Sequence, residues 1–563
     1  MTLQPASSPV DDLAARFWES FLELNPTTAT QYGDERYGDL LDDPGPAGRA
    51  AMRSLAERTR AEALAIEPEG LSVEDRITRD MLIVVGDLAV AEDDLGMHRL
   101  RGADQIAGPQ TLLPQIATFQ PADTAERLDK YLARLRAFDA YIDAYIDILR
   151  EGMRTGVTAP RIVVERTIDQ LHRLLALPAE ESVIAQMSRV ASEADRDKVR
   201  EAVRDAVHPA EQRYLDVLEN EYLATSRPDP GLWSAPGGDA IYRQAMRSWT
   251  TLDLDPDEVH RIGLDELEQV DVERRELARA YGFGDDVHAY RASMEADGAN
   301  IPATREALVE RATEDIERAN ALAPRWFGRL PRASCEVRPV EEFKEKDAPF
   351  AYYFPPTLDG KRAGIYFVNA YDLPSRIYSK LASTTYHEAV PGHHFQIALE
   401  MEHPSLNVFR RLGSRLVGGS YVEGWGLYAE RLADEMGLYR NDQERLGMLD
   451  AIAWRAARLI TDTGMHALRW SRQRSIDFLL ETGLSGTDSM IETDRYIAWP
   501  GQALTYMIGM REIRRLRAEI EQRDGPAFDV RVFHDEVLGH GSIPLSTLAH
   551  ELPRWVSEPA GSA

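Results

Sequence analysis

Three of the chain's 13 histidines fall within eight residues, in Thr385-Tyr-His387-Glu388-Ala-Val-Pro391-Gly392-His393-His394-Phe-Gln396. Imidazoles and carboxylates are the zinc donors left when thiols are scarce, and Cys335 is the only cysteine. That count excludes an internal disulfide framework and any multi-cysteine metal site. The chemistry this run could supply is metal-assisted hydrolysis.

A His-Glu pair followed by a further His resembles the zinc-protease pattern HExxH, in which two histidines one helical turn apart bind the ion and the glutamate works on its water. The spacing differs here, because the position four after His387 is Pro391. On an ideal helix His394 would share a face with His387 but sit roughly 10.5 Å further along, and His393 would point about 120° away. Pro391 supplies the remedy. It has no N–H for the His387 carbonyl and its ring clashes there, so the helix must bulge or break, and Gly392 permits unusual backbone angles beyond it. His393 is favoured as the second ligand, with His394 as the alternative.

A third ligand is expected from another helix, and Gly418-Gly-Ser-Tyr-Val-Glu423-Gly-Trp-Gly-Leu-Tyr-Ala-Glu430 offers two carboxylates. Glu423 is expected as the ligand. Glu430, two turns on along the same face, suits a supporting role behind a ligand. Two histidines and one glutamate leave zinc an open position for water, whose pKa falls to about 7. Glu388 can then act as general base in amide hydrolysis.

Such a site needs helices to hold it, and helical periodicity dominates the chain. Apolar residues recur at helical spacing from Leu128 to Leu149, after Asp123 and Glu126 in a capping-box-like start. Similar patterns predict helices over Asp12–Leu24, Arg161–Leu177, Asp257–Tyr281, Arg305–Leu322, Leu446–Leu480 and Gln502–Glu521. The expected fold is mainly α and two-lobed, since single cores rarely outgrow ~250–300 residues. The breaker-rich stretch Ser226–Asp239 places the boundary, giving an N-terminal lobe over 1–230 and a C-terminal lobe over 231–563 that carries the zinc site, the two forming one continuous unit. Glu558–Ala563 reads as a frayed tail.

One strand pair is predicted beside the metal run. Ala351–Pro355 and Ala363–Asn369 flank a turn containing Asp359-Gly360, as a hairpin with a longer loop. The strand Ala363–Asn369 is expected to be an exposed edge that docks a peptide through its backbone, with Gly364 allowing close approach.

Acidic residues (94) outnumber basic ones (65), for a formal charge of −29, which disfavours nucleic acid and anionic membrane as partners. The segment Met1–Val10 has no basic residue and no apolar core, and Met81–Val90 is short and interrupted by Asp87. A soluble, cytoplasmic protein is the expectation.

The chain resembles the bacterial family called domain of unknown function 885, over nearly its whole length. The most specific marks are HEAVPGHHFQ at His387–Gln396, EGWGLYAE at Glu423–Glu430, DTGMH at Asp462–His466 and RYIAWPGQALTYMIG at Arg495–Gly509, with weaker ones at Gly156–Arg166 and Trp249–Leu264. The resemblance implies a fold like that of helical zinc metallopeptidases, without fixing a substrate.

Arg458, His466, Tyr496 and Tyr506 are further candidates for contact with substrate or oxyanion. The expected function is zinc-dependent cleavage of short peptides. The alternatives are a zinc amidohydrolase acting on a non-peptide metabolite, and a non-catalytic zinc-stabilised binding protein. A structural ion would need no general base, which favours the first two.

Overall fold

The computed structural model describes residues 8–341, 345, 349–357 and 362–557. The turn at Asp359-Gly360, the start of the chain before Ser8 and the tail Glu558–Ala563 lie outside the described residues.

Helices make up most of the chain, as the periodicity predicts. Arg305–Leu322 forms over the expected residues with Thr304 as its N-cap, and Asp257–Tyr281 appears as Pro256–Ala280 capped by Asp255. Two expectations are corrected. The helix that begins at Ala125 is capped by Thr124, whose hydroxyl accepts from the Arg127 N–H, and not by Asp123. The pattern over Leu446–Leu480 is two helices, Asp442–His466 and Arg472–Thr482. Between them Arg469 takes φ 60°, which ends a right-handed helix, and Ser471 caps the second through the Arg474 N–H.

Buried apolar side chains form two cores, neither confined to one side of residue 230. The first joins residues between Leu13 and Met97, with Val157, to residues between Leu232 and Trp555. The second gathers Ala103–Tyr222 and borrows Ala457, Ile460, Met465, Trp470, Leu479, Tyr496, Ile497 and Ala503. The helix Asp442–His466 serves both: Leu449, Ile452 and Ala456 enter the first core while Ala457, Ile460 and Met465 enter the second. A helix apolar on opposite faces is what such a position requires.

The elements that matter for the site are labelled here. Helices α1 (Tyr378–Glu388), α2 (His393–Glu402), α3 (Gly419–Glu435), α4 (Asp442–His466), α5 (Gly486–Ala498) and α6 (Thr505–Asp524) surround it. Strands β1 (Cys335–Pro339), β2 (Ala351–Phe354) and β3 (Gly364–Val368) form a sheet of order β1-β3-β2. Helices α3 and α6 cross with their backbones in near contact, since a Cβ on Gly424 would lie 2.4 Å from the Gly509 backbone.

The predicted hairpin is present, with Ala351 opposite Val368 and Phe354 opposite Ile365. Its expected edge is not. β3 also pairs in parallel with β1, Cys335 opposite Gly364, so both of its edges are occupied and no peptide can add to it. Sequence alternation could not show this, because β1 lies outside the hairpin and joins through a parallel register. Gly364 makes room within the protein instead: a Cβ there would meet His394 Nδ1 and the Tyr353 hydroxyl, each at 2.6 Å. Among the described residues no helix is long and apolar enough to cross a membrane.

Candidate metal centre

Helix α1 stops at Glu388 and α2 starts at His393, so the Pro391-Gly392 step breaks the helix as the missing N–H predicts. The loose Pro391 carbonyl is taken up by the Trp425 indole N–H at 2.9 Å, which ties the break to α3. Gly392 is packed against the end of α1; a Cβ there would lie 1.9 Å from the His387 carbonyl oxygen.

The break folds His393 back onto His387, with ring centroids 4.6 Å apart at 82°. His387, Glu388 and His393 offer donor atoms all within 4.8 Å of one another. Glu423, from α3, faces both rings: its Oε2 is 3.6 Å from His387 Nε2 and 3.6 Å from His393 Nε2. Both distances exceed a hydrogen bond and lie close to the roughly 3.3–3.5 Å between donors that share one tetrahedral ion at 2.0–2.2 Å. Room for the two imidazoles comes from Gly426, one turn after Glu423, where a Cβ would collide with His387 Cε1 at 2.7 Å and His393 Cε1 at 2.9 Å.

Glu430 accepts from His387 Nδ1 at 2.8 Å and also takes the Ser383 hydroxyl. A neutral His387 therefore carries its proton on Nδ1 and turns the Nε2 lone pair toward Glu423. A lone pair aimed at a carboxylate, with a second imidazole Nε2 at the same distance from it, is accommodated by a cation among them, so the donor set fits a divalent ion. Without one the site binds a proton: burial would lower the His387 pKa, but Glu423 and Glu430 outweigh it and push it up to about 10. Burial likewise raises Glu423, and the two imidazoles outweigh that to hold it well below the usual carboxylate range. Burial raises the Glu388 carboxyl, against the pull of His393 and His387.

His394 turns away. Its Nδ1 accepts from the Tyr353 hydroxyl at 3.0 Å and its Nε2–H donates to the Ala333 carbonyl at 3.1 Å, so α2 is pinned to the sheet. Burial pushes its pKa down to about 4, which keeps it neutral.

Of the four candidates for substrate contact, the structure brings one against the cluster. The Tyr506 ring lies 6.4 Å from the His387 ring at 28°, and the Arg458 guanidinium sits 4.4 Å from the Tyr506 ring centre. His466 is spent on structure: its Nδ1 accepts from the Leu232 N–H at 3.3 Å and its Nε2–H donates to the Tyr496 carbonyl at 2.9 Å. The Tyr496 hydroxyl accepts from Arg458 Nε at 3.0 Å and from the Trp454 indole at 3.2 Å. Sequence reasoning missed Arg455, whose Nη2 is 3.9 Å from Glu430. Its place three residues before Arg458 was the available signal, one helical turn on the same face.

Fold and site together define a mainly helical protein with a two-histidine, two-glutamate cluster whose histidines are buried. The chain belongs to the bacterial protein family of unknown function DUF885, which matches residues 26–552. Two solved structures are similar. One, described as "the putative lipoprotein from Colwellia psychrerythraea", has 27% identity and a TM-score of 0.90, over 98% of this chain and 100% of that one. The other, "a putative lipoprotein of unknown function from Shewanella oneidensis", has 19% identity and a TM-score of 0.78, over 98% and 100%, and speaks for the fold alone. No curated protein matches the chain. The cytoplasmic expectation is corrected by the Colwellia relative, whose description is "the putative lipoprotein". That expectation rested on what Met1–Val10 lacks, and those residues do not decide the compartment.

Proposed function

We propose that this protein is a zinc-dependent hydrolase that cleaves amide bonds in short peptides, with His387, His393 and Glu423 holding the ion and Glu388 as general base. The observation that carries the proposal is the approach of two imidazole Nε2 atoms to one Glu423 oxygen at 3.6 Å each, with Glu388 within 4.8 Å of the two histidines' donor atoms.

Bound there, zinc would polarise the scissile carbonyl and acidify a water molecule. Glu388 takes the proton of the attacking water as its oxygen bonds to the carbonyl carbon, and returns it to the amine as the C–N bond breaks. Glu430 fixes the His387 tautomer through Nδ1–H. Trp425 and Gly426 hold the two imidazoles in reach of one point.

A peptide-library digest followed by mass spectrometry tests this. Zinc-loaded protein should cleave peptides, and Glu388→Gln should keep its zinc while losing about 10²–10⁴-fold in rate. Cleavage confined to small non-peptide amides would favour the amidohydrolase reading. Full zinc occupancy with no turnover on either class would reduce the site to a structural one.

A further inference from the structure

Three guanidiniums gather beside the metal cluster, and two of them share one carboxylate. Arg458 Nη2 is 3.1 Å from Glu492, and Arg495 Nη1 is 3.5 Å from the same group. Among the described residues Arg455, one turn before Arg458 on α4, has no closer acid than Glu430 at 3.9 Å. In a chain with a net charge of −29, this is a local surplus of cations.

The surplus is rigid. The Arg458 guanidinium lies between two rings, 4.3 Å from the Trp454 centre and 4.4 Å from the Tyr506 centre. Its Nε is held by Tyr496. Its side chain is 2% exposed, yet Nη1 is buried without a hydrogen-bond partner among the described residues, as is Nε of Arg455. Buried donors are nearly always satisfied, and an unsatisfied pair on neighbouring arginines calls for a missing acceptor. A planar guanidinium suits a carboxylate.

The position selects the ligand. Tyr506 contacts both the His387 ring and Arg458, so Arg458 lies at most roughly 11 Å from that imidazole, the length of about three extended residues. We infer that Arg455 and Arg458 bind the C-terminal α-carboxylate of a peptide whose scissile bond lies at the His387 cluster, making the protein a carboxy-terminal exopeptidase. This rests on the hydrolase reading above, and binding tests it apart from turnover.

The probes are N-acetyl-Ala-Ala with a free C-terminus, its C-terminal amide, and N-acetyl-Ala-Glu amide, which moves the carboxylate to a side chain. Calorimetry with zinc-incubated Glu388→Gln protein, which should not turn them over, should show the free acid binding about tenfold tighter than either amide. Adding Arg455→Gln should bring that ratio close to one. Arg455 is partly exposed, so this variant should fold even where Arg458→Gln does not.

Equal binding of acid and amide, preference for the side-chain carboxylate, a ratio unchanged by Arg455→Gln, or no binding of any probe would each overturn the inference. Selective binding of the acid by a protein that cleaves nothing would sink the hydrolase reading and leave the carboxylate site standing.

Discussion

Histidine meets glutamate around His387 and again around His540, and the spacing separates the two. At His540 each ring nitrogen has its own carboxylate, Glu74 at 2.7 Å from Nδ1 and Glu536 at 3.3 Å from Nε2, and Arg410 adds a contact to Glu74 at 3.3 Å. There both ring nitrogens are taken by acids, while Glu74 Oε2 meets Arg410 as an ion pair without a hydrogen bond, and the group ties the Val73–Asp94 helix to the C-terminal part of the chain. Around His387 only Nδ1 is closed, while two Nε2 atoms stand off one carboxylate oxygen. The same residue types make a clasp in one place and an ion-sized gap in the other.

The comparison breaks most readily at the ligands. His387→Ala or Glu423→Ala should cost at least about a hundredfold in zinc affinity, because a three-donor site loses a donor. His540→Ala should leave zinc affinity unchanged. Metal analysis after dialysis reads both, and equal retention by all three variants would erase the distinction. Next comes Glu430→Gln, which keeps the shape but weakens the hold on His387 Nδ1–H. About 10–100-fold in zinc affinity is expected, measured by competition with a chelator.

The clasp at His540 should show in stability. Removing its imidazole strands the buried Glu536 and leaves the partly exposed Glu74 with Arg410 alone, so His540→Ala should cost about 3 kcal/mol in denaturant unfolding. Burial lowers the His540 pKa, but Glu536 and Glu74 outweigh it and raise it above the ordinary value. Its contribution is therefore complete below about pH 6.5 and is lost as pH rises through the folded-state value. A variant whose deficit does not shrink with rising pH would contradict the charged clasp.

The smallest effect lies far from both clusters. Glu211, in the second core, is raised by burial alone to about 8. The folded state thus holds a proton that the unfolded chain releases near pH 4.5, and stability falls as pH climbs from there through 8. Glu211→Gln should flatten that slope and stabilise the protein at pH 9 by about 1–2 kcal/mol. Parallel pH profiles for variant and wild type would show that the carboxyl is not buried as described.

The metal cluster was legible in part. Pro391 announced the broken helix, and Glu423 and Glu430 were placed by their seven-residue spacing on one face. The choice between His393 and His394 was open in the sequence, because it depends on where the chain goes after the break. The Tyr353 hydroxyl and the Ala333 carbonyl then occupy both nitrogens of His394. His466 and Tyr496 looked equally suited to bind substrate, since a polar side chain shows its partners only after folding, and both are spent on Leu232, Arg458 and each other's helices. The helices themselves were legible where periodicity was unbroken, as at Arg305–Leu322, although the one capping start read from the sequence was a residue off. The sharing of α4 between two cores was not, because periodicity reports an apolar face and not the partner it meets.

Crystals soaked in zinc and measured on both sides of the zinc absorption edge would test the central claim most directly. The account predicts one strong anomalous peak bonded to His387 Nε2, His393 Nε2 and Glu423, with His394 still on Tyr353. A peak bonded to His394, a peak at His540, or no peak at the break between α1 and α2 would contradict it.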